Sequence, residues 1–194
     1  NAYGGAVYVN HGTLDAIDLV ISNSRAFYGG GIAVDHGTVT LILTQCLENE
    51  ASYGGCVHST RSTLILANVK ANSNLALKFG AVAYLDDSSS ATISQSVFQS
   101  NEAKARGAIV YMTGETNVTL TFSKMENNIA EAGGSVISCN DSTAKSILEV
   151  EDSVVQNNKR NIRPGVLAKH FLTNGMHFKF IFVQTAIFLA RFNG

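Results

Sequence analysis

The words YGGAVYV at residues 3–9 return as YGGGIAV at 28–34 and as YGGCVHS at 53–59. A chain that repeats a sentence at so short a period is built from stacked copies of one small supersecondary unit, because one such unit cannot bury its apolar side alone. Aligned on the second glycine of each turn, the repeat recurs at Gly5, Gly30, Gly55, Gly80, Gly107 and Gly134, with spacings of 25, 25, 25, 27 and 27 residues. The residue two places on is β-branched each time: Val7, Ile32, Val57, Val82, Ile109 and Val136.

A second apolar strand begins nine to fourteen residues after each of these glycines, at Leu14, Val39, Leu64, Ala91, Val118 and Leu148. Its next apolar column reads Ala16, Leu41, Leu66, Ile93, Leu120, Val150, and the mostly polar Asp15, Thr40, Ile65, Thr92, Thr119 and Glu149 lie between. That is the period-two alternation of a strand with one wet face. A third column, Ile21, Cys46, Ala71, Phe98, Met125 and Val155, is followed three residues later by Ser24, Asn49, Asn74, Asn101, Asn128 and Asn158. The extra residues of the longer repeats are expected to fall in the gap between the first and second strands, which is therefore a loop.

These columns predict an all-β chain: a single-stranded right-handed parallel β-helix, a solenoid of about six to seven coils of 25–30 residues. Like stacks on like at about 4.8 Å. Aliphatic side chains fill the bore, and the side chains of Asn49, Asn74, Asn101 and Asn128 line up along one turn, each donating to the next coil. The glycines allow positive φ and close backbone approach where the coil bends. Val82 is expected to point into the bore between Val57 and Ile109.

The pairing of GGAV, GGGI, GGCV and RGAI with FQSN at Phe98–Asn101, and with CLEN and MENN, resembles the GGA[I/L/V] and FxxN repeats of chlamydial polymorphic outer membrane proteins. It is similar, more broadly, to pectin-lyase-like β-helix repeats. The resemblance covers residues 1 to about 160. It implies a surface-exposed passenger domain with a role in adhesion.

The organisation expected is residues 1–164 as β-helix repeats and 165–194 as a terminal coil or capping segment. Gly165 and Val166 keep part of the pattern, and Phe178, Phe180 and Phe182 fall where a second strand belongs, but Phe188 takes the asparagine place. The apolar stretches of FKFIFVQTAIFLARF are shorter than the roughly 20 residues a spanning helix needs, so no transmembrane span is expected. Asn1 opens inside a repeat, and the chain reads as a stretch of a longer solenoid whose secretion signal lies elsewhere.

Composition narrows the function. Fourteen Lys plus Arg against fifteen Asp plus Glu give a net charge of -1 with no run of like charge, which disfavours nucleic acid or an anionic membrane as partner. His11 and His36 share a repeat position and, with Asp35, form a conceivable metal pair, but two ligands are too few; they read as solvated turn residues. Asp86 and Asp87 resemble the adjacent acids of pectin-cleaving β-helices, yet the equivalent places offer Thr60, Arg61, Thr113 and Gly114, and no acid–base cluster is expected around them. Cys46 and Cys56 fall in different inward columns and read as buried free thiols, with Cys139 in a variable loop. Asn117 and Asn140 begin candidate glycosylation sequons.

The function expected is a noncatalytic extracellular or cell-surface module, adhesive or structural, with no catalytic residue, metal or cofactor. Its partner would be a surface protein, a polysaccharide or further β-helix repeats. The alternative is a pectin-lyase-like polysaccharide lyase or glycoside hydrolase.

Overall fold

The structure is a computed structural model describing residues 2–134, 136–140 and 146–160, together with the backbone of the strand Phe178–Ile181. Every coil visits the same faces in the same order, so every sheet is parallel and every sheet neighbour is one repeat away in sequence. The described strands make about five full turns of a β-solenoid, with no helix among them.

The first sheet stacks Val7–Asn10, Ile32–Asp35, Val57–Thr60, Ala83–Asp86, Val110–Met112 and Ile137–Cys139. The second begins with Thr13–Ile17 and runs through Asn117–Thr121 and Ile147–Glu151 to Phe178–Ile181, aligning Phe178 with Leu148 and Phe180 with Val150. The rest of residues 165–194 lies outside the described residues. Short strands such as Val97–Gln99 build the third sheet, and Glu50–Tyr53 and Leu75–Phe79 belong to the fourth.

The strands are short because each meets a corner, and each corner is set by left-handed residues. At three of the four corners most of these bear side chains: His11, His36, Arg61, the pair Asp87 and Ser88 and, beside Gly114, Glu115 at the first, Asp18, Leu43 and Asn68 at the second, Asn23, Glu48 and Ser73 at the third. A lone αL residue costs on the order of 1 kcal/mol. Its amide is repaid by bonding to the neighbouring coil, as Asp18 N does to the Ile42 carbonyl at 3.0 Å.

The fourth corner is the glycine turn, and here two expectations are corrected. Positive φ falls on Gly4, Gly29 and Gly54 in the early coils and on Gly80, Gly107 and Gly134 in the later ones. Gly5, Gly30 and Gly55 instead allow close stacking: a Cβ on Gly30 would sit 2.4 Å from the Gly55 carbonyl oxygen. The aligned column therefore slips by one residue. Val57 pairs with Ala83 rather than Val82, because a register shift in the fourth sheet between Ala76 and Phe79 adds one residue before the turn. Not all insertions lie between the first and second strands. Val82 is nevertheless fully buried in the core with Cys56, Val57 and Ile109.

Polar ladders tie the coils together. Asn49, Asn74, Asn101 and Asn128 each donate through Nδ2 to the Oδ1 of the next rung's asparagine at 2.8–3.1 Å. Each also donates to a backbone carbonyl of the preceding coil. Serine hydroxyls do similar work at the other corners, where Ser96 Oγ accepts from Val69 N and Ser123 Oγ from Ser96 N. Buried corners are thereby left with few unmet backbone donors.

Cys46 and Cys56 form a disulfide, which corrects the expectation of free thiols. Their columns are separate in sequence, but the third and fourth corners, at Glu48 and Gly54, fold both into the bore, with Cα atoms 6.0 Å apart. That separation lies within bridging range.

Candidate functional site

The outward face of the first sheet carries the chemistry. Its second residue points away from the bore, and down the stack this column reads Tyr8, Ala33, His58, Tyr84, Tyr111 and Ser138. The residue before each glycine turn supplies a parallel column, Tyr3, Tyr28, Tyr53 and Phe79. Strand spacing and ring stacking distance are nearly equal, so in-register aromatics stack without strain.

Two aromatic ladders result. In one, centroids are 4.9 Å apart for Tyr3–Tyr28, 5.3 Å for Tyr28–Tyr53 and 6.0 Å for Tyr53–Phe79. In the other, His58–Tyr84 and Tyr84–Tyr111 are parallel within 8° at 5.2 and 5.4 Å. Cross contacts zip them together: Tyr3–Tyr8 at 5.5 Å, Tyr28–His58 at 4.8 Å, Tyr53–Tyr84 at 5.2 Å and Phe79–Tyr111 at 4.4 Å. Lys78 Nζ sits 5.1 Å over the Tyr53 ring.

One rung is missing. Ala33 has no ring to place between Tyr8 and His58 and is itself buried, with the Tyr28 ring packed on His58; a cavity of about 300 Å³ has an aromatic lining that includes Tyr3, Tyr8 and Tyr28 and a polar one that includes Asp35, Arg61 and Asp86. Its polar side is the end of the first sheet and the corner beyond it. Asp35 and Asp86 flank Thr60 in one column, and Arg61 occupies the corner of the middle coil. Arg61 reaches Asp35 Oδ1 and Asp87 Oδ2, each at 3.6 Å. Asp35 Oδ1 lies 2.8 Å from His36 Nδ1, yet no donor is aligned on it, and it stays a buried oxygen without a hydrogen bond.

Burial shapes the titration of this face. His58 is 5% exposed, and desolvation lowers its pKa to about 4 against a weaker upward pull from Asp35. The imidazole is neutral at pH 7. Asp86 is raised above its ordinary value by burial and then by the Asp87 carboxylate, with the Asp87 amide and Arg61 pulling down. Burial likewise raises Tyr84 and Tyr111.

The sequence reading of this region is corrected in one respect. Asp86 and Asp87 do have charged neighbours: Asp35, Arg61 and Asp86 come from three consecutive coils and line one cavity. Strand pairing sets Asp86 beside Thr60, and the Arg61 side chain spans two coil steps from its corner. Asp15 and Glu149 lie in the second sheet, away from the cavity. His11 and His36 stack face to face, centroids 4.7 Å apart, and no three metal-ligating side chains converge among the described residues. Asn117 opens a second-sheet strand and Asn140 follows a first-sheet strand, both exposed. Residues 141 and 142 of the latter sequon lie outside the described residues.

Sequence reasoning missed the aromatic ladders because it followed the inward columns. The signal was present in the Tyr before each early glycine pair and in the residue after each first-strand aliphatic. Compared with known families, curated proteins and solved structures, the chain matches no family model, no curated protein and no solved structure. No helix among the described residues is long and apolar enough to cross a membrane.

Proposed function

We propose that this chain is a noncatalytic extracellular or cell-surface module with an adhesive or structural role, and that the aromatic face of its first sheet is the contact surface. The observation that carries the reading is the pair of zipped ladders from Tyr3 to Tyr111. Stacked tyrosines offer large, amphipathic contact area already fixed in place, so binding through them orders little. The Cys46–Cys56 disulfide supports an oxidising location. The GGA[I/L/V] and FxxN words support a passenger-type role on resemblance alone. The partner class is a surface protein, a polysaccharide, or further repeats of the same kind.

The cluster of Asp35, Arg61 and Asp86 on consecutive coils favours a second reading, a polysaccharide lyase or glycoside hydrolase, since such chemistry needs acids and bases converging on the scissile bond. One experiment separates the two. Retention of the purified chain on cells and wall polymers is measured beside unsaturated-product absorbance and reducing ends over pectin, alginate and related uronides, with and without calcium. Retention that falls when Tyr53 and Tyr84 are both changed to Ser, without turnover, is the expected result. Retention indifferent to both tyrosines would reject the aromatic contact surface, and turnover abolished by Asp86→Asn with Asp87→Asn would establish the enzyme.

A further inference from the structure

The second sheet turns a face outward that has no part in the aromatic contact surface. Between its end strands, Thr38–Ile42, Thr63–Ala67, Ser90–Ser94 and Asn117–Thr121 pair in unbroken register over all five residues. Val39, Leu41 and their equivalents are buried in the core, so the alternate residues face out in three columns. Those positions hold only Thr, Ser, Asn, Ile and Ala, with Thr38 above Thr63 in one column and Thr92 above Thr119 in the next. None is charged or aromatic, and Asp15, Glu149 and Glu151 stand only on the flanking strands. Soluble surfaces ordinarily intersperse charges of both signs.

We propose that this threonine face of the second sheet binds ice. With no charge on it, a mineral, an anionic membrane or a nucleic acid has nothing to pair with, and with no ring on it a sugar has nothing to stack on. An ordered lattice of water asks for neither. The array repeats at about 4.8 Å across the strands and about 6.7 Å along them, each within about a tenth of the oxygen repeats, about 4.5 and 7.4 Å, of hexagonal ice. The hydroxyls of Thr38, Thr40, Thr92 and Thr119 make no hydrogen bond to any described residue, and Ser90 Oγ meets Thr63 Oγ1 only at 3.4 Å. They are therefore open to water. β-Branching holds each threonine to few rotamers, so hydroxyl and methyl are already in place and contact with a rigid lattice orders little. The inference goes beyond the contact-surface reading and is independent of it, because it concerns a different sheet.

The test is to grow ice slowly into a dilute solution of the whole chain and to measure its concentration in the ice and in the remaining liquid, following grain growth in fine-grained ice by microscopy. Enrichment in the ice and slowed grain growth are expected, where an unrelated soluble protein is excluded. Thr40→Lys with Thr92→Lys should lower the enrichment at least fivefold, since each ammonium must give up water to reach the lattice. Tm shows whether the pair has kept the fold, and Thr63→Lys, at an exposed position, decides the matter should the pair fail to fold. Exclusion of the parent chain from ice, or equal enrichment of parent and lysine variants, would overturn the proposal. Binding to crystalline cellulose that the lysines abolish, with no effect on ice, would overturn it in favour of a polysaccharide; a dimer that the lysines break would assign the face to a second copy instead. Retention on cells reads the aromatic face and should be the same for parent and lysine variants, so the two readings fail separately.

Discussion

Asn74 Nδ2 donates at 2.9 Å to Asn101 Oδ1 on the following coil and at 2.8 Å to the Cys46 carbonyl on the preceding one. A single side chain thus ties three coils, and Asn101 Oδ1 also accepts from the Asn74 amide at 3.0 Å. Asn101→Leu keeps the volume but strands the Asn74 amide and removes the bonds that Asn74 Nδ2 and the Ala71 carbonyl make to Asn101. A loss of about 3 kcal/mol or more is expected by urea denaturation, against less than about 0.5 kcal/mol for Thr92→Ser on the exposed face of the second sheet. Equal effects would mean that the ladder contributes nothing.

Val82 is fully buried among Cys56, Val57 and Ile109. Val82→Asp puts an unpaired carboxylate in the bore and is expected to cost at least about 4 kcal/mol. A soluble variant with the parent's melting temperature would contradict its inward placement.

Gly29 and Gly12 make a matched pair. Gly29 has φ +64, and a Cβ there would fall 2.0 Å from the Ile32 carbonyl oxygen, whereas a Cβ on Gly12 meets nothing nearer than 3.7 Å. Gly29→Ala should destabilise by about 1–3 kcal/mol and Gly12→Ala by less than about 0.5 kcal/mol. Thermal melts of the two variants would show the reverse order if the corners were wrongly placed.

The bridge between Cys46 and Cys56 leaves Cys139 outside it. Titration in denaturant should count one thiol from the three cysteines of the chain. The bridge closes a span of only 10 residues, so replacing both cysteines by Ala should cost about 2–3 kcal/mol on the chain-entropy model. Three reactive thiols would refute the bridge.

His58 gives the fold a pH dependence. Its folded pKa, about 4, lies below the ordinary 6.5, so between these values the unfolded chain binds the extra proton. Stability therefore falls as pH drops from about 6.5 and levels off below about 4, a loss on the order of 3 kcal/mol. Asp86, whose pKa is raised, acts in the opposite sense at acid pH. His58→Phe keeps a ring in the stack and should flatten the Tm profile between pH 6.5 and 4; an unchanged slope would exclude His58 as its source.

Periodicity by itself determined the solenoid. Inward columns such as Leu14–Val39–Leu64 and Ile21–Cys46–Ala71 are legible because burial imposes one chemistry on every rung, and the paired strands follow them residue for residue. The asparagine column was legible for the same reason: a buried amide must find its partner on the next identical coil. What periodicity could not decide is whatever depends on a single departure from it. The register shift before Phe79 moved Val82 off Val57, the third and fourth corners brought Cys46 to Cys56, and the stacking of three coils set Asp35, Arg61 and Asp86 around one cavity. Outward side chains meet one another rather than the bore, so rings, Ala33 and Ser138 can share one column. Only the stacking of the coils shows which of them touch.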